Sequence, residues 1–172
     1  MDRAAVTVDN VSDVVLLRVT GAQDGISVDH YKLDHKANDP HAAGSGVHHE
    51  SAQFLFAGTS YQWGGITPWG ADCSGFTQSI FGLHGIPLPR DSSQQAGCGT
   101  PVPLDDLRPG DLLFFRDDAG SRVTHVAFAG EADTLVHSTI AVGGMVQEPW
   151  LPGSRAASLR ERLVAVRRLE ER

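Results

Sequence analysis

The chain has 172 residues, 41% of them hydrophobic and 20% charged, and a formal net charge of −7. That length fits one ordinary domain with a small appendage, and the composition is that of a globular protein. The negative balance argues against nucleic acid and anionic membranes as main partners, no apolar run reaches the length of a membrane span, and two cysteines make no disulfide framework.

The opening residues, Met1-Asp2-Arg3-Ala4-Ala5, lack the basic start and apolar core of a secretory signal. For a complete chain this leans toward the cytoplasm; for a fragment, the cell envelope or secretion is the expectation. Val14 to Leu17 with Val19, then Ile26, Val28 and Tyr31 beyond a turn at Gly21–Gly25, read as short strands. Residues 34–46 read as a linker, so residues 1–45 form a short β-rich segment and linker, with the main domain over 46–172. Five histidines between His30 and His49 lie among Asp29, Asp34, Asp39 and Glu50. A metal site and a solvated linker are both readings of this cluster. Its spacing matches no tight ligand motif, and neither metal nor cofactor is assigned.

A helix is expected from about Val47 to Ala57, with Gly58 as its stop. The stretch Tyr61-Gln62-Trp63-Gly64-Gly65 to Pro68 and Gly70 then delivers the chain to Asp72-Cys73-Ser74-Gly75-Phe76. Phe76, Ile80, Phe81 and Leu83 have helical spacing, and Asp72 stands where an N-cap belongs, so Cys73 should open a second helix. A thiol there faces unpaired N–H groups and the positive end of the helix dipole, both of which favour the thiolate. On position alone Cys73 is either such a nucleophile or a small buried hydrophobe. Gly82, Gly85 and Pro87 end the helix, and Asp91 or Ser92 can cap a short one after it. Cys98, between Gly97 and Gly99, reads as an incidental loop thiol.

The second half changes period. Strands are expected at Leu112–Phe115, Val123–Ala129, Thr134–Ser138, Val142–Val146 and Leu163–Val166, the last followed by a charged tail. Helices followed by an antiparallel meander make an α+β class. His125 should share a face with Val123, Ala127 and Ala129, and His137 stands on the next strand, within cross-strand reach. Each is either an ordinary satisfied histidine or half of a base and its orienting partner, which must hold the correct tautomer toward the thiol.

Together these segments resemble the NlpC-type cell-wall cysteine peptidases, a compact bacterial branch of the papain-like fold. The residues carrying the resemblance are Tyr61–Gly65, Asp72–Phe76, Gly85–Arg90, Leu107–Phe115, Thr124-His125-Val126 and Val136-His137-Ser138, in that order over roughly residues 47 to 169. The resemblance implies hydrolysis of an amide in peptidoglycan stem peptides. Cys73 would be the nucleophile, His125 the general base and then acid, and His137 its orienter. Tyr61 would donate to the oxyanion beside the Cys73 N–H, or simply pack under the loop.

Arg90-Asp91-Ser92, with Asp72 and Ser74, further resembles the branch that cleaves between γ-D-glutamate and a diamino acid and requires a free N-terminal L-alanine. Asp72, Ser74, Asp91 and Ser92 would gather around the substrate ammonium, with Trp63 also lining the cleft. The two aspartates double as helix caps. That branch carries SH3-like barrels that wall the pocket. Residues 1–35 are short for one, and Tyr31 is the candidate for the wall. An acyltransferase or lipid thioesterase on the same scaffold, and a non-catalytic cell-wall peptide-binding module, are the competing functional readings.

Overall fold

The computed structural model describes residues 56–120 and 122–169, together with the backbone of 15–22 and 25–32. The chain divides into two compact units, Met1–Asp39 and Pro40–Arg172. In the first, β1 (Val15–Ala22) and β2 (Gly25–Lys32) pair antiparallel, with Val19 opposite Val28 and Leu16 opposite Tyr31. The side chains of this hairpin, Tyr31 among them, lie outside the described residues, as do the linker histidines and most of the helix expected over 47–57.

Among the described residues of the second unit, three two-residue strands come first, β3 (Ser60–Tyr61), β4 (Ile66–Thr67) and β5 (Gly70–Ala71). Helix α1 (Cys73–Leu83) and the single turn α2 (Ser92–Gln95) follow. Next come β6 (Thr100–Pro101), a 3-10 turn (Leu104–Asp106), β7 (Leu112–Arg116), β8 (Val123–Ala129), β9 (Thr134–Thr139) and β10 (Gly144–Pro149). A 3-10 helix (Arg155–Arg162) leads into β11 (Leu163–Arg168). Among the described residues these strands form one nine-stranded sheet in the order β4-β5-β3-β10-β9-β8-β7-β11-β6. The β3–β5 pair is parallel and the other pairs are antiparallel. The architecture is α+β, as the sequence leads one to expect.

The four apolar residues of β7 show how the sheet is buried on both faces. Leu112 and Phe114 point into a core with Phe76, Ile80 and Phe81 of α1, whereas Leu113 and Phe115 join Trp150, Ala156 and Leu159 on the other side. Alternation along a pleated strand sends successive side chains to opposite faces, so a continuous apolar run is what a doubly covered strand requires. In the α1 core, Phe76 meets Phe56 at 5.0 Å and Phe128 at 5.5 Å, edge to face. Complete burial of such side chains contributes about 1.5–3 kcal/mol each.

Several local results differ from the sequence expectation, among them β10, which runs over Gly144–Pro149 instead of Val142–Val146. The β7–β8 pairing steps from Phe115↔His125 to Arg116↔Val123, an irregularity that leaves Thr124 without an opposite residue. Ala127 and Ala129 keep the face alternation assigns them, but Val123 packs with the α1 core, because the extra residue of a bulge inverts the alternation beyond it. The Arg167-Arg168 tail belongs to β11 itself. Arg168 reaches both carboxylate oxygens of fully buried Asp111 at 2.8 Å, and this hydrogen bonding raises its pKa further.

Candidate active site

The turn before α1 is built by Asp72. Its Oδ1 accepts from the Gly75 N–H at 2.8 Å, the N-cap bond, and from the Ser74 hydroxyl at 3.4 Å. Its Oδ2 accepts from the Gly64 N–H at 2.8 Å and from Arg90 at 2.5 Å. Burial alone would push this carboxyl up, but the Arg90 guanidinium and the two N–H donors outweigh it and hold the pKa below its ordinary value. Arg90 also donates to the Ser74 hydroxyl at 2.9 Å. Asp72 therefore spends its acceptors within the chain. Gly75 is required in this turn, because a β-carbon there would collide with the Gly65 carbonyl oxygen.

Cys73 is the first residue of α1 and is buried. Its Sγ lies 3.9 Å from the Thr124 carbonyl, and the Val126 N–H also reaches it, so the thiol abuts β8 on either side of His125. The hydrogen bond of the thiol runs to this backbone carbonyl, not to the imidazole. The thiolate preference expected from the helix terminus is overruled: burial pushes the Cys73 thiol up, the Asp72 carboxylate adds to that, and neighbouring N–H groups offset only part of it. Cys73 and Cys98 are both free thiols.

His125 and His137 are joined, Nε2 to Nδ1, at 2.7 Å. His125 is half-buried, its ring tilted against Phe115 at a centroid distance of 5.9 Å. Burial, His137 and the charges of Arg162 and Arg155 lower its pKa to about 3. His137 is buried, and its Nε2 lies 2.7 Å from Oε1 of Glu148, which also pairs with Arg155. Ser138, next on β9, donates to the Ala71 carbonyl at 2.7 Å and so clamps the histidine strand to the nucleophile turn.

Tyr61 stands opposite Ala71 in the β3–β5 pair. Burial raises its hydroxyl pKa, and Cys73 and Asp72 raise it further, which puts the phenol in the electrostatic field of the thiol. Ser92 is buried as the first residue of α2, and Asp91 is an exposed N-cap whose side chain makes no cap hydrogen bond. Trp63 is exposed on the loop between β3 and β4.

Sequence reasoning misses Glu148, Arg155 and Gln95. Gln95 is fully buried, donates to the Ser74 and Pro89 carbonyls at 2.9 and 2.8 Å and accepts from Thr77 at 2.9 Å, bracing α2 against the first turn of α1. Among the described residues no group of side chains could hold a metal ion, and no helix is long and apolar enough to cross a membrane.

A sequence profile of the NlpC/P60 family matches residues 58–163. The gamma-D-glutamyl-L-lysine dipeptidyl-peptidase of Bacillus subtilis (strain 168) is 46% identical over 85 residues, which are 49% of this chain and 29% of that relative. The probable endopeptidase NlpC of Escherichia coli (strain K12) is 38% identical over 89 residues, 51% of this chain and 58% of that relative. The chain thus covers less than two thirds of either curated relative. The crystal structure of an NlpC/P60 family protein from Bacillus cereus ATCC 10987 matches with a TM-score of 0.66 and 26% identity, over 96% of this chain and 53% of that one. The peptidoglycan hydrolase RipB of Mycobacterium tuberculosis shares the fold at a TM-score of 0.59 and 22% identity, over 77% of this chain and 67% of that one. With more than half its length inside the family profile, the chain belongs to the NlpC/P60 family.

Proposed function

We propose that this protein is a cysteine endopeptidase that hydrolyses the γ-D-glutamyl–diamino acid bond of peptidoglycan stem peptides carrying a free N-terminal L-alanine. The observation that carries the reading is a helix-opening thiol lodged against the β8 backbone on both sides of His125, which is itself paired with His137.

Cys73 Sγ attacks the γ-carbonyl while His125 takes the thiol proton, giving a tetrahedral intermediate. The Cys73 N–H and the Tyr61 hydroxyl donate to its oxyanion. His125 returns the proton to the amine of the departing diamino acid, leaving a γ-glutamyl thioester on Cys73. Water, deprotonated by His125, hydrolyses that thioester and restores the thiol. His137 orients the base throughout. Asp91 and Ser92 supply acceptors for the substrate ammonium. Asp72 and Ser74 act through Arg90, whose guanidinium they hold at the mouth of the nucleophile turn. Trp63, exposed beside this turn, covers the bound peptide.

The test is hydrolysis of L-Ala-γ-D-Glu-meso-diaminopimelate, beside its N-acetylated form and the Cys73→Ala protein, with mass spectrometry locating the cut. Release of L-Ala-D-Glu from the free-amine peptide alone, abolished in Cys73→Ala, is the expected result. Equal cleavage of the acetylated peptide would keep the peptidase and remove the amine pocket. No cleavage of either, with Cys73 still open to alkylation, would overturn the substrate assignment.

A further inference from the structure

We propose that Glu148 is a positioning residue: it sets the tautomers of both histidines and stabilises the charge that His125 acquires when it takes the thiol proton. The inference rests on the cysteine-peptidase reading above and adds a group that acts through His137.

An ionised carboxylate only accepts hydrogen bonds. The 2.7 Å contact between Glu148 Oε1 and His137 Nε2 therefore places a proton on that nitrogen. Neutral His137 then has a lone pair at Nδ1, so the 2.7 Å contact with His125 must be made by an N–H on His125 Nε2. Neutral His125 in turn has its lone pair at Nδ1, the nitrogen left to act as base. One carboxylate at the far end of the chain thus dictates which nitrogen of His125 is unprotonated, two residues away.

The premise is that Glu148 is ionised although buried. Burial pushes its carboxyl up, but the hydrogen bond from His137 and the charge and hydrogen bond of Arg155 hold it below its ordinary value. The groups facing the relay are His137 from β9 and Arg155 and Arg162 from the 3-10 helix, with the Cys73 thiol of α1 near the β8 backbone. Both arginines oppose a proton on His125. Glu148 is the one carboxylate hydrogen-bonded to the pair among the described residues, and its charge is opposite in sign to theirs.

The experiment uses the full chain with ¹⁵N-labelled histidine. In the wild type, imidazole ¹⁵N shifts should show His125 and His137 both protonated at Nε2; a proton on Nδ1 of His137 would overturn the proposal. Glu148→Gln keeps an acceptor oxygen toward His137 and removes the charge. For tripeptide hydrolysis kcat should fall about 10-fold or more with KM within about twofold, and the limb of kcat/KM that reports the imidazole pair should move to lower pH. Arg155→Gln removes the opposing charge and should move that limb to higher pH. Opposite shifts support the positioning role; equal losses with an unmoved limb in both variants would reduce Glu148 to a packing element. If the wild type cleaves and Glu148→Gln matches it in kcat and profile, this inference fails and the peptidase stands. If the wild type does not cleave, the peptidase reading fails, and with it the catalytic half of the inference, while the ¹⁵N shifts still decide the tautomer order.

Discussion

Arg90 grips Asp72 at 2.5 Å and Ser74 at 2.9 Å, one residue on either side of Cys73. The nucleophile turn is thereby held from the segment between α1 and α2, and Gln95 of α2 adds its bond to the Ser74 carbonyl.

Replacing Arg90 should loosen the nucleophile more than the fold. The guanidinium is about one-third exposed, so solvent screens the pair, and Arg90→Ala should cost only about 1–2 kcal/mol in a denaturant melt. Hydrolysis should fall at least 10-fold. Arg90→Lys should recover little of it, because one ammonium cannot reproduce the forked contacts to two partners.

The two glycines of α1 should respond with opposite signs. Gly75→Ala forces a β-carbon into the Gly65 carbonyl, so it should destabilise by about 1–3 kcal/mol and weaken the turn under Cys73. Gly82 is exposed with open space around it, and Gly82→Ala should stabilise by about 0.5–1 kcal/mol through helix propensity. Urea unfolding of both variants checks the pair.

Acid should erode stability well above the ordinary carboxylate range. His125 takes a proton near pH 6.5 when unfolded but only near about 3 when folded. A depressed histidine contributes in full above 6.5, and as pH falls from there toward 3 the unfolded chain binds a proton the native chain refuses. The slope approaches about 1.4 kcal/mol per pH unit for that one group. Asp72 and Glu148, held below their ordinary values, add a further loss at the acid end. Unfolding at pH 7, 5.5 and 4 should show a shallower decline in His125→Asn than in the wild type.

Alkylation of Cys73 should follow the raised thiol. Its rate with iodoacetamide should be low at pH 6 and keep climbing beyond the ordinary thiol range, instead of reaching the low-pH plateau of a preformed thiolate. A plateau below pH 6 would show that the helix terminus prevails over burial.

Asp111→Ala should be the most damaging of these changes to the fold. It leaves Arg168 without its buried partner and removes the acceptor of the Arg108 N–H, at a cost of about 3–5 kcal/mol. Thermal unfolding checks this, with Asp106→Ala, on an exposed partner of the same arginine, as the mild control.

What could be read from the sequence divides along local and non-local lines. Asp72 capping a helix that opens at Cys73 rests on cap chemistry and apolar spacing within a dozen residues, and β8 has the bounds its apolar run sets. His125 and His137 become neighbours because a short turn joins their strands. Glu148 is hidden because Gln147-Glu148 ahead of Pro149 looks like the end of a strand, whereas β10 continues to Pro149. Arg155, which pairs with that carboxylate, comes from the strongly polar 3-10 helix, which offers no apolar period to read. Strands β3 to β5 are two residues each, too short for alternation to register. Arg168 resembles a solvated tail residue until its partner, 57 residues earlier in the chain, comes into view.

The thiol is 51 residues from the carbonyl it touches, and Ser138 is 67 from the Ala71 carbonyl it clamps. No hairpin or helical fragment of the chain can therefore assemble the site, and loop closure must precede any reward from it. Folding dominated by such distant pairings is slow. A refolding sample should regain its helical signal before it regains turnover, so recovered activity would time the last step of folding instead of the first.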